Sequence, residues 1–303
     1  MWGAGLGMDD YVAMWEELAD CPWGRSWYGW RLWIDDDGRV LSSLKLYRPK
    51  LRVGEHTSRA RAIGAVFTPR AHRGRGYAAA LIREALAGSE NGEPGFLFTD
   101  IGVAYYAALG FSPLPCEDAL GSLRSVAAKR TTASRLRTMT LDDLDAVARA
   151  HDRVCEERPI AVLRDRAHWE FLLLRAASFF RRLDGSDLSR RFMIVEAESG
   201  PIGYLVGVLG PGEWNLREAA AFDGRPETLA RILTAGGEDA AAAGAHTVWG
   251  WIPRAWWSLV PGWRLRLQPR TRAIPMLHAG PEATLPRTLD TPEGAFISYL
   301  DQF

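Results

Sequence analysis

The sequence predicts an α/β fold of the α+β kind, in which mixed, mostly antiparallel twisted sheets are flanked by helices in two tandem halves. The chain has 303 residues, whereas a single domain usually holds about 100 to 200. Hydrophobic residues make up 47% and charged residues 24%, as in compact globular proteins. The order of helical and strand patterns is similar in the two halves, which indicates a degenerate duplication.

The first half is predicted to run helix, hairpin, strand, helix, strand and helix. Apolar residues recur at helical spacing in the first segment, and β-branched and aromatic residues flank the turn at residues 35–38. A turn-rich break is expected at residues 21–25. Pro69 ends the third strand, and Gly88 ends the helix that follows it. The predicted segments are 9–18, 27–33 with 40–53, 60–68, 77–87, 95–99 and 103–109.

A polar stretch at residues 125–134 is predicted to separate the halves, so that the domains cover residues 1–130 and 131–280. A tail at residues 281–303 ends in FISYLDQF, whose apolar side chains are expected to dock back toward the cleft of the first domain. Thr140 begins a helix with a capping-box pattern. The predicted segments of the second half are helices 139–154, 164–176 and 228–244 and strands 192–196, 201–209 and 247–252.

The charge balance favours a small-molecule partner. Lys plus Arg and Asp plus Glu both total 37, so neither nucleic acid nor a membrane surface is an expected partner. The three cysteines, Cys21, Cys116 and Cys155, fit neither a disulfide framework nor a zinc site, so we expect reduced thiols and no metal. The first residues do not resemble a secretory signal, and a cytoplasmic location is expected. The oligomeric state is left open.

The segment AVFTPRAHRGRGYAAALI is the strongest chemical motif in the chain. A strand ends at Pro69, and a loop containing Arg73, Gly74, Arg75 and Gly76 opens a helix. A helix N-terminus offers unpaired N–H groups to an anion, and glycines allow the main chain to come close to a diphosphate. The simpler alternative is a tight turn with no ligand.

This segment resembles the acetyl-coenzyme A (acetyl-CoA) signature of the GCN5-related N-acetyltransferases, or GNATs. The resemblance implies tandem GNAT-like domains, acetyl-CoA as cosubstrate, and pairing of the strand end with the pantetheine arm of the cofactor. The implied cofactor-binding residues are Val66, Phe67, Thr68, Arg73, Gly74, Arg75, Gly76, Tyr77 and Ala78.

A second motif, FLFTDIGVAYYAALGF, resembles the strand and short helix that carry the GNAT general acid. By that pattern Tyr106 protonates the departing thiolate of coenzyme A, with the adjacent Tyr105 as the competing candidate. Asp100 is a candidate to hold the ammonium of the acceptor, and the alternative is a helix N-cap.

No basic loop repeats in the second half, where GPGEWNLREAAAF is expected to replace it after the strand at 204–209. This half is therefore expected to lack a cofactor. Its tryptophans are expected to pack in the core and between domains, with an aromatic wall for a cationic amine as the alternative. They are Trp249, Trp251, Trp256, Trp257 and Trp263.

The two-domain layout resembles the enhanced-intracellular-survival acetyltransferases and the fungal lysine N6-acetyltransferases. The first of these families implies that the terminal carboxylate of Phe303 acts as a base. The predicted function is transfer of acetyl from acetyl-CoA to a primary amine of a small molecule, an amino acid or a lysine side chain. The alternative is a noncatalytic acyl-CoA-binding sensor or interaction module.

Overall fold

The computed structural model describes residues 5–87, 92–125, 134–156, 158–183 and 189–279, together with residues 295, 296, 298 and 301. The first half contains four helices in this part of the chain: α1 (Met8–Asp20), α2 (Pro22–Trp27), α3 (Tyr77–Ala87) and α4 (Val103–Ala107). Its strands are β1 (Tyr28–Ile34), β2 (Val40–Tyr47), β3 (Lys50–Val53), β4 (His56–Arg59), β5 (Arg61–Phe67), β6 (Gly95–Thr99), β7 (Ser112–Pro113) and β8 (Glu117–Ser122).

The second half adds three helices within the described ranges: α5 (Leu144–Glu156), α6 (Arg166–Arg182) and α7 (Pro226–Ala242). Its strands are β9 (Arg135–Thr138), β10 (Ile160–Leu163), β11 (Ser189–Ala197), β12 (Gly200–Gly210), β13 (Glu213–Ala221), β14 (Thr247–Gly250), β15 (Arg266–Pro269), β16 (Ile274–His278) and β17 (Ala295–Phe296). No helix in the described ranges is both long and apolar enough to cross a membrane.

The two large sheets exchange strands between the halves. The first has the order β1-β2-β5-β6-β16-β7, and the second has the order β15-β8-β14-β13-β12-β11-β9. Strand β16 comes from late in the chain yet pairs antiparallel with β6, while β8 comes from the first half and pairs antiparallel with β14. Each half therefore supplies a strand to the sheet of the other half. A division of the chain near residue 130 stays a prediction.

A small sheet joins three parts of the chain in the order β17-β10-β3-β4. Strand β10 pairs antiparallel with β3 and parallel with β17. A core cluster also contains residues of both halves, including Trp23, Tyr47, Trp169 and Tyr204. The two halves thus share backbone hydrogen bonds and apolar packing.

A buried group of charges lies where α5, β13 and the tail meet. The guanidinium of Arg164 lies 2.8 Å from a carboxylate oxygen of Glu218 and 2.7 Å from one of Asp301. His151 Nδ1 lies 3.1 Å from Glu218, and the Tyr204 hydroxyl donates to the same carboxylate at 2.6 Å. Because all these side chains are buried, each charge depends on its partners for the solvation that water would otherwise supply.

These contacts determine the protonation states of the group. Burial alone would lower the pKa of His151, but the neighbouring Cys155 thiol and Glu218 carboxylate raise it to about 10. Burial likewise opposes ionisation of Glu218, yet Arg164 and His151 hold the pKa of that carboxyl below its usual value. His151 and Glu218 are therefore both charged at neutral pH, and the ion pair with Arg164 binds the tail residue Asp301 to the second half.

The predicted α/β class with mostly antiparallel sheets flanked by helices is confirmed. Helix 77–87 and strand 95–99 match α3 and β6 at both ends. The capping box at Thr140 is present, with Asp143 as its other member, and opens a short 3₁₀ turn before α5. Local signals were sufficient here because a capping residue, glycine or proline marks the boundaries.

Several sequence predictions were wrong. Strand 40–53 is two strands in different sheets, because Pro49 follows β2 and cannot donate to a ladder. The break at 21–25 is the start of α2, with Pro22 at its first position and the Cys21 thiol as cap acceptor. The stretch GPGEWNLREAAAF is largely β13, a strand buried on both faces that includes Trp214 and Leu216.

The ion pair of Asp301 gives a test of the tail contact. Asp301→Asn should lower the free energy of unfolding by about 3 kcal/mol, because it leaves the buried Arg164 with one anionic partner fewer. Urea denaturation followed by circular dichroism measures the change.

The matched control is Asp145→Asn, which removes the same charge from an exposed pair with Arg166 at 3.0 Å. Such a pair is worth less than about 1 kcal/mol. Equal losses in the two variants would contradict a structural role for the buried pair.

Candidate functional site

Strands β5 and β6 start as a parallel pair and then part. The pairing runs through Arg61 with Gly95 and Ala62 with Phe96, and it stops at Ile63 with Leu97. Strand β5 nevertheless continues to Phe67, and β6 continues to Thr99. The facing edges beyond Leu97 form a wedge-shaped opening whose backbone groups are not paired with each other.

A bulge at Ala65 accompanies the parting of the strands. Ala65 has a φ of +47°, and the pairing register between β2 and β5 shifts between Ser43 and Lys45. Positive φ is uncommon for a residue with a Cβ, and bulges increase the local bend of a strand. Ser42 supports the bent end, because its hydroxyl donates to the carbonyl of Phe67 at 3.0 Å.

The loop after β5 bends tightly through two left-handed glycines. Gly74 has a φ of +77° and Gly76 a φ of +82°, and a Cβ built on either would meet no atom within 4 Å. The glycines are therefore required by backbone conformation. The space around them is open, so a ligand can approach the main chain from that side.

The loop leads directly into the N-terminus of α3. The N–H of Ala80 donates to the carbonyl of Gly76 at 3.0 Å, and no side-chain acceptor is recorded for residues 76–79 in the described ranges. These N–H groups and the helix dipole favour an anion. Arg73 and Arg75 are exposed beside them, and Arg73 Nε donates to the carbonyl of Thr68 at 3.1 Å. The set fits the diphosphate of coenzyme A.

Tyr106 lies on the buried side of α4 and Tyr105 on its exposed side. Tyr106 is 7% exposed and packs in the cluster that contains Ile63, Leu97 and the partly buried Val66. Burial, helped by the nearby Tyr105 and Asp100, raises the pKa of Tyr106 to about 12. Tyr106 is therefore the tyrosine that shares an apolar cluster with residues of the parted strands, and its phenol stays protonated at neutral pH.

Asp100 follows β6 at the open end of the wedge. It does not cap α4, whose N-cap is Gly102 without a side-chain cap. Its carboxylate instead accepts the N–H of Ala273 at 2.7 Å, just before β16. The second oxygen has no recorded partner in the described part of the chain, so the carboxylate keeps an acceptor for a ligand.

A polar cleft of about 610 Å³ begins at Asp100 and Ala273 and runs between the two large sheets. Asp100 and Glu213 line it as exposed carboxylates for which no ion pair is recorded in the described residues, whereas the carboxylate of Asp118 already pairs with Arg270 at 2.9 Å. Its other lining residues include Asn215, Arg217, Trp249, Gln268 and Arg272. The cleft combines acidic, basic and amide groups and suits a small polar molecule.

The second half has a different segment at the position of the basic loop. After β13 only residues 222–225 precede α7, and the Asp223 carboxylate accepts the N–H of Arg225 at 2.9 Å and the hydroxyl of Thr228 at 2.8 Å. A protein carboxylate thus already lies at this helix N-terminus, where an anion is favoured. The sequence analysis expected the counterpart of the basic loop after β12, whereas in the structure the strand that leads into α7 is β13.

The tryptophans of the second half divide between the core and the cleft. Trp251 and Trp263 are buried, and Trp256 and Trp257 pack against the core cluster. Trp249 is half-buried and lines the cleft. The predicted core packing holds for the buried members, and an aromatic wall of five rings does not form.

Two further points concern the predicted site. Phe303 lies outside the described residues, so its role as a base stays a prediction. The described part of the chain holds no group of three or more His, Cys, Asp or Glu side chains able to bind a metal ion.

The residues that sequence reasoning missed are Ser42, Glu213 and Ala273. Ser42 lies on β2 and supports the end of β5. Glu213 and Ala273 belong to the second half, and they line one cleft with Asp100 because the two halves exchange strands.

Comparisons of the sequence agree with this geometry. Residues 7–114 match a family model described as an acetyltransferase (GNAT) domain. A segment of 93 residues, 29% of the chain, is 39% identical to a lysine acetyltransferase of Yarrowia lipolytica. That segment spans only 24% of the length of the relative, about a quarter.

Solved structures share the fold at low sequence identity. A GCN5-related N-acetyltransferase from Anabaena variabilis aligns with a TM-score of 0.63 and 14% identity, covering 90% of this chain and 71% of that one. N-myristoyltransferase of Saccharomyces cerevisiae, with bound myristoyl-CoA, aligns with a TM-score of 0.58 and 10% identity, covering 94% and 76%. The match over residues 7–114 is to a GNAT acetyltransferase domain, and the solved structures show that most of the chain shares the fold of such acyltransferases.

Proposed function

We propose that the chain is an N-acetyltransferase that moves the acetyl group of acetyl-CoA to a primary amine of a small molecule, an amino acid or a lysine side chain. The proposal rests on two features that lie next to each other, an open strand end and a glycine loop. The parted strands β5 and β6 leave free backbone groups next to a left-handed glycine loop at a helix N-terminus. An extended amide chain and a diphosphate need these two kinds of surface.

The cofactor would be held along residues 66–78. The free edge of Val66, Phe67 and Thr68 would pair with the pantetheine arm as an added strand. The N–H groups from Gly74 to Ala78 would bind the diphosphate, and Arg73 and Arg75 would add positive charge. Tyr77 lies beside this loop, with its ring 6.4 Å from that of His72.

Tyr106 would act as the general acid. Attack of a neutral amine on the thioester forms the amide bond and breaks the bond from the acyl carbon to sulfur, and the leaving thiolate takes a proton from the phenol. A phenol with a pKa near 12 holds its proton until the thiolate forms. The surplus proton of the amine leaves through a base or water in the cleft.

The acceptor would enter through the polar cleft. The Asp100 and Glu213 carboxylates attract an ammonium group, whereas Arg217 and Arg272 favour a carboxylate or another anionic group on the same molecule. The lysine acetyltransferase relative is consistent with an amine acceptor. Because the yeast structural neighbour holds myristoyl-CoA, the preference for acetyl over longer acyl chains needs its own measurement.

The primary test follows the release of free thiol from acetyl-CoA in the presence of a panel of amines, including free amino acids. We expect at least one amine to raise the rate well above background. The same panel with longer acyl-CoA molecules measures the chain-length preference. Coenzyme A binding with no turnover for any amine would favour the noncatalytic acyl-CoA-binding module instead.

The cofactor loop is tested by Gly76→Ala. A Cβ at positive φ costs about 1 kcal/mol, and straightening of the loop should weaken coenzyme A binding about tenfold, measured by isothermal titration calorimetry. The control is Gly244→Ala, at a φ of +92° and likewise in open space. It should lose similar stability without losing affinity, and equal affinity loss in both variants would contradict a cofactor role for the loop.

The acid is tested by Tyr106→Phe. Loss of the phenol proton should lower kcat by about 10² or more, the usual contribution of a general acid, with little change in the affinity for coenzyme A. Tyr105→Phe is the matched control because Tyr105 is the exposed neighbour. Its kcat should stay within about twofold of the wild-type value, and the reverse ranking would transfer the role to Tyr105.

The acceptor site is tested by Asp100→Asn. Asparagine keeps an oxygen to accept the N–H of Ala273, so the change removes charge and preserves the turn. We expect the KM for the amine to rise about tenfold with a smaller change in kcat, measured by initial rates. Asp142→Asn, at an exposed position of the second half, should leave both constants unchanged, and an unchanged KM in Asp100→Asn would remove the acceptor role.

A further inference from the structure

Strand β1 is the last strand of its sheet, and its outer edge is open. The carbonyl of Trp27 accepts the N–H of Arg48 at 2.8 Å, and the register places Tyr28 opposite Tyr47. Backbone groups of an antiparallel strand alternate in direction, so those of Tyr28, Trp30 and Leu32 point away from β2. Within the described residues, only the Arg31 guanidinium is recorded on this edge, where it donates to the carbonyl of Trp30 at 3.2 Å.

The side chains along this edge are unusually apolar for a solvated strand. Leu32 is 54% exposed and Ile34 is 55% exposed, and Trp30 and Trp33 are also exposed. Val12 of α1, which lines a groove together with Trp30, is exposed as well. We call the surface formed by residues 30–34 the β1 edge. Natural sheets normally protect such an edge with charges, proline or a covering element, and the β1 edge has one charge, on Arg31.

The two ends of β1 carry opposite charges. Arg25 is exposed before the strand, and no ion pair is recorded for it in the described ranges. The turn after the strand holds Asp35, Asp36 and Asp37 with one counter-charge from Arg39. Antiparallel pairing of two identical strands brings the basic start of one toward the acidic turn of the other, whereas parallel pairing brings like charges together.

We propose that the β1 edge pairs with the β1 edge of a second copy of the chain, in an antiparallel arrangement with a two-fold axis at Leu32. This register places Leu32 opposite Leu32 of the second copy, Trp30 opposite Ile34, and Arg31 opposite the Trp33 ring, where a cation–π contact forms. An axis at Arg31 would place two guanidinium groups face to face. The two six-stranded sheets then become continuous, and each open edge is closed.

The association state is measured by sedimentation velocity over a range of protein concentrations. Wild-type protein should form a dimer, and Leu32→Lys should raise its dissociation constant at least tenfold because it places two like charges on the axis. Leu141→Lys is the control, since Leu141 is equally exposed in the second half. Circular dichroism verifies that both variants fold.

A cross-link identifies the contact. Leu32→Cys treated with a short bifunctional maleimide should give a covalent dimer above the level seen for wild type, which already carries Cys21, Cys116 and Cys155. Leu141→Cys should remain at the wild-type level. A monomeric wild type, a dimer that Leu32→Lys leaves intact, or no excess cross-link at residue 32 would each overturn the proposal.

Discussion

The candidate site depends on how β6 is held at its two edges. On one edge the parallel pairing with β5 ends at Leu97, so the last residues of β6 lose that partner. On the other edge β16 pairs with β6 along its whole length, from Gly95 to Thr99. A strand that lost one neighbour with no support on the other side would leave its backbone groups to water and fray. The strand from the second half therefore allows the wedge to remain open in a folded protein.

The two halves differ at the end of the corresponding parallel strand pair. In the second half, β13 and β14 also pair in parallel and stop at Asn215 with Trp249. There the space is closed, because a Cβ on Gly250 would lie 2.0 Å from the carbonyl of Leu216. In the described residues, the second half thus differs from the first both at the end of this strand pair and at the N-terminus of α7, where Asp223 lies.

The parts of the fold that the sequence predicted are those determined by neighbouring residues. The glycine loop and α3 were predicted to the residue because positive φ, helix entry and apolar spacing are local constraints. Strands β8, β10 and β16 were missed because they are short and their partners lie far away in the chain. The pairing of β16 with β6 joins segments about 175 residues apart, and no local pattern carries that information.

The same contrast between local and long-range constraints applies to the candidate site. The proposed cofactor surface is one continuous segment, residues 66–78, and both this segment and the proposed acid Tyr106 could be predicted from motif spacing. The proposed acceptor site consists of Asp100, which the N–H of Ala273 orients, and of Glu213, which faces the same cleft from the other sheet. Because two of these three residues belong to the second half, changes there can alter the acceptor without affecting the cofactor loop. Under the proposed function, the second half therefore contributes to the choice of amine through Glu213 and through the backbone that orients Asp100.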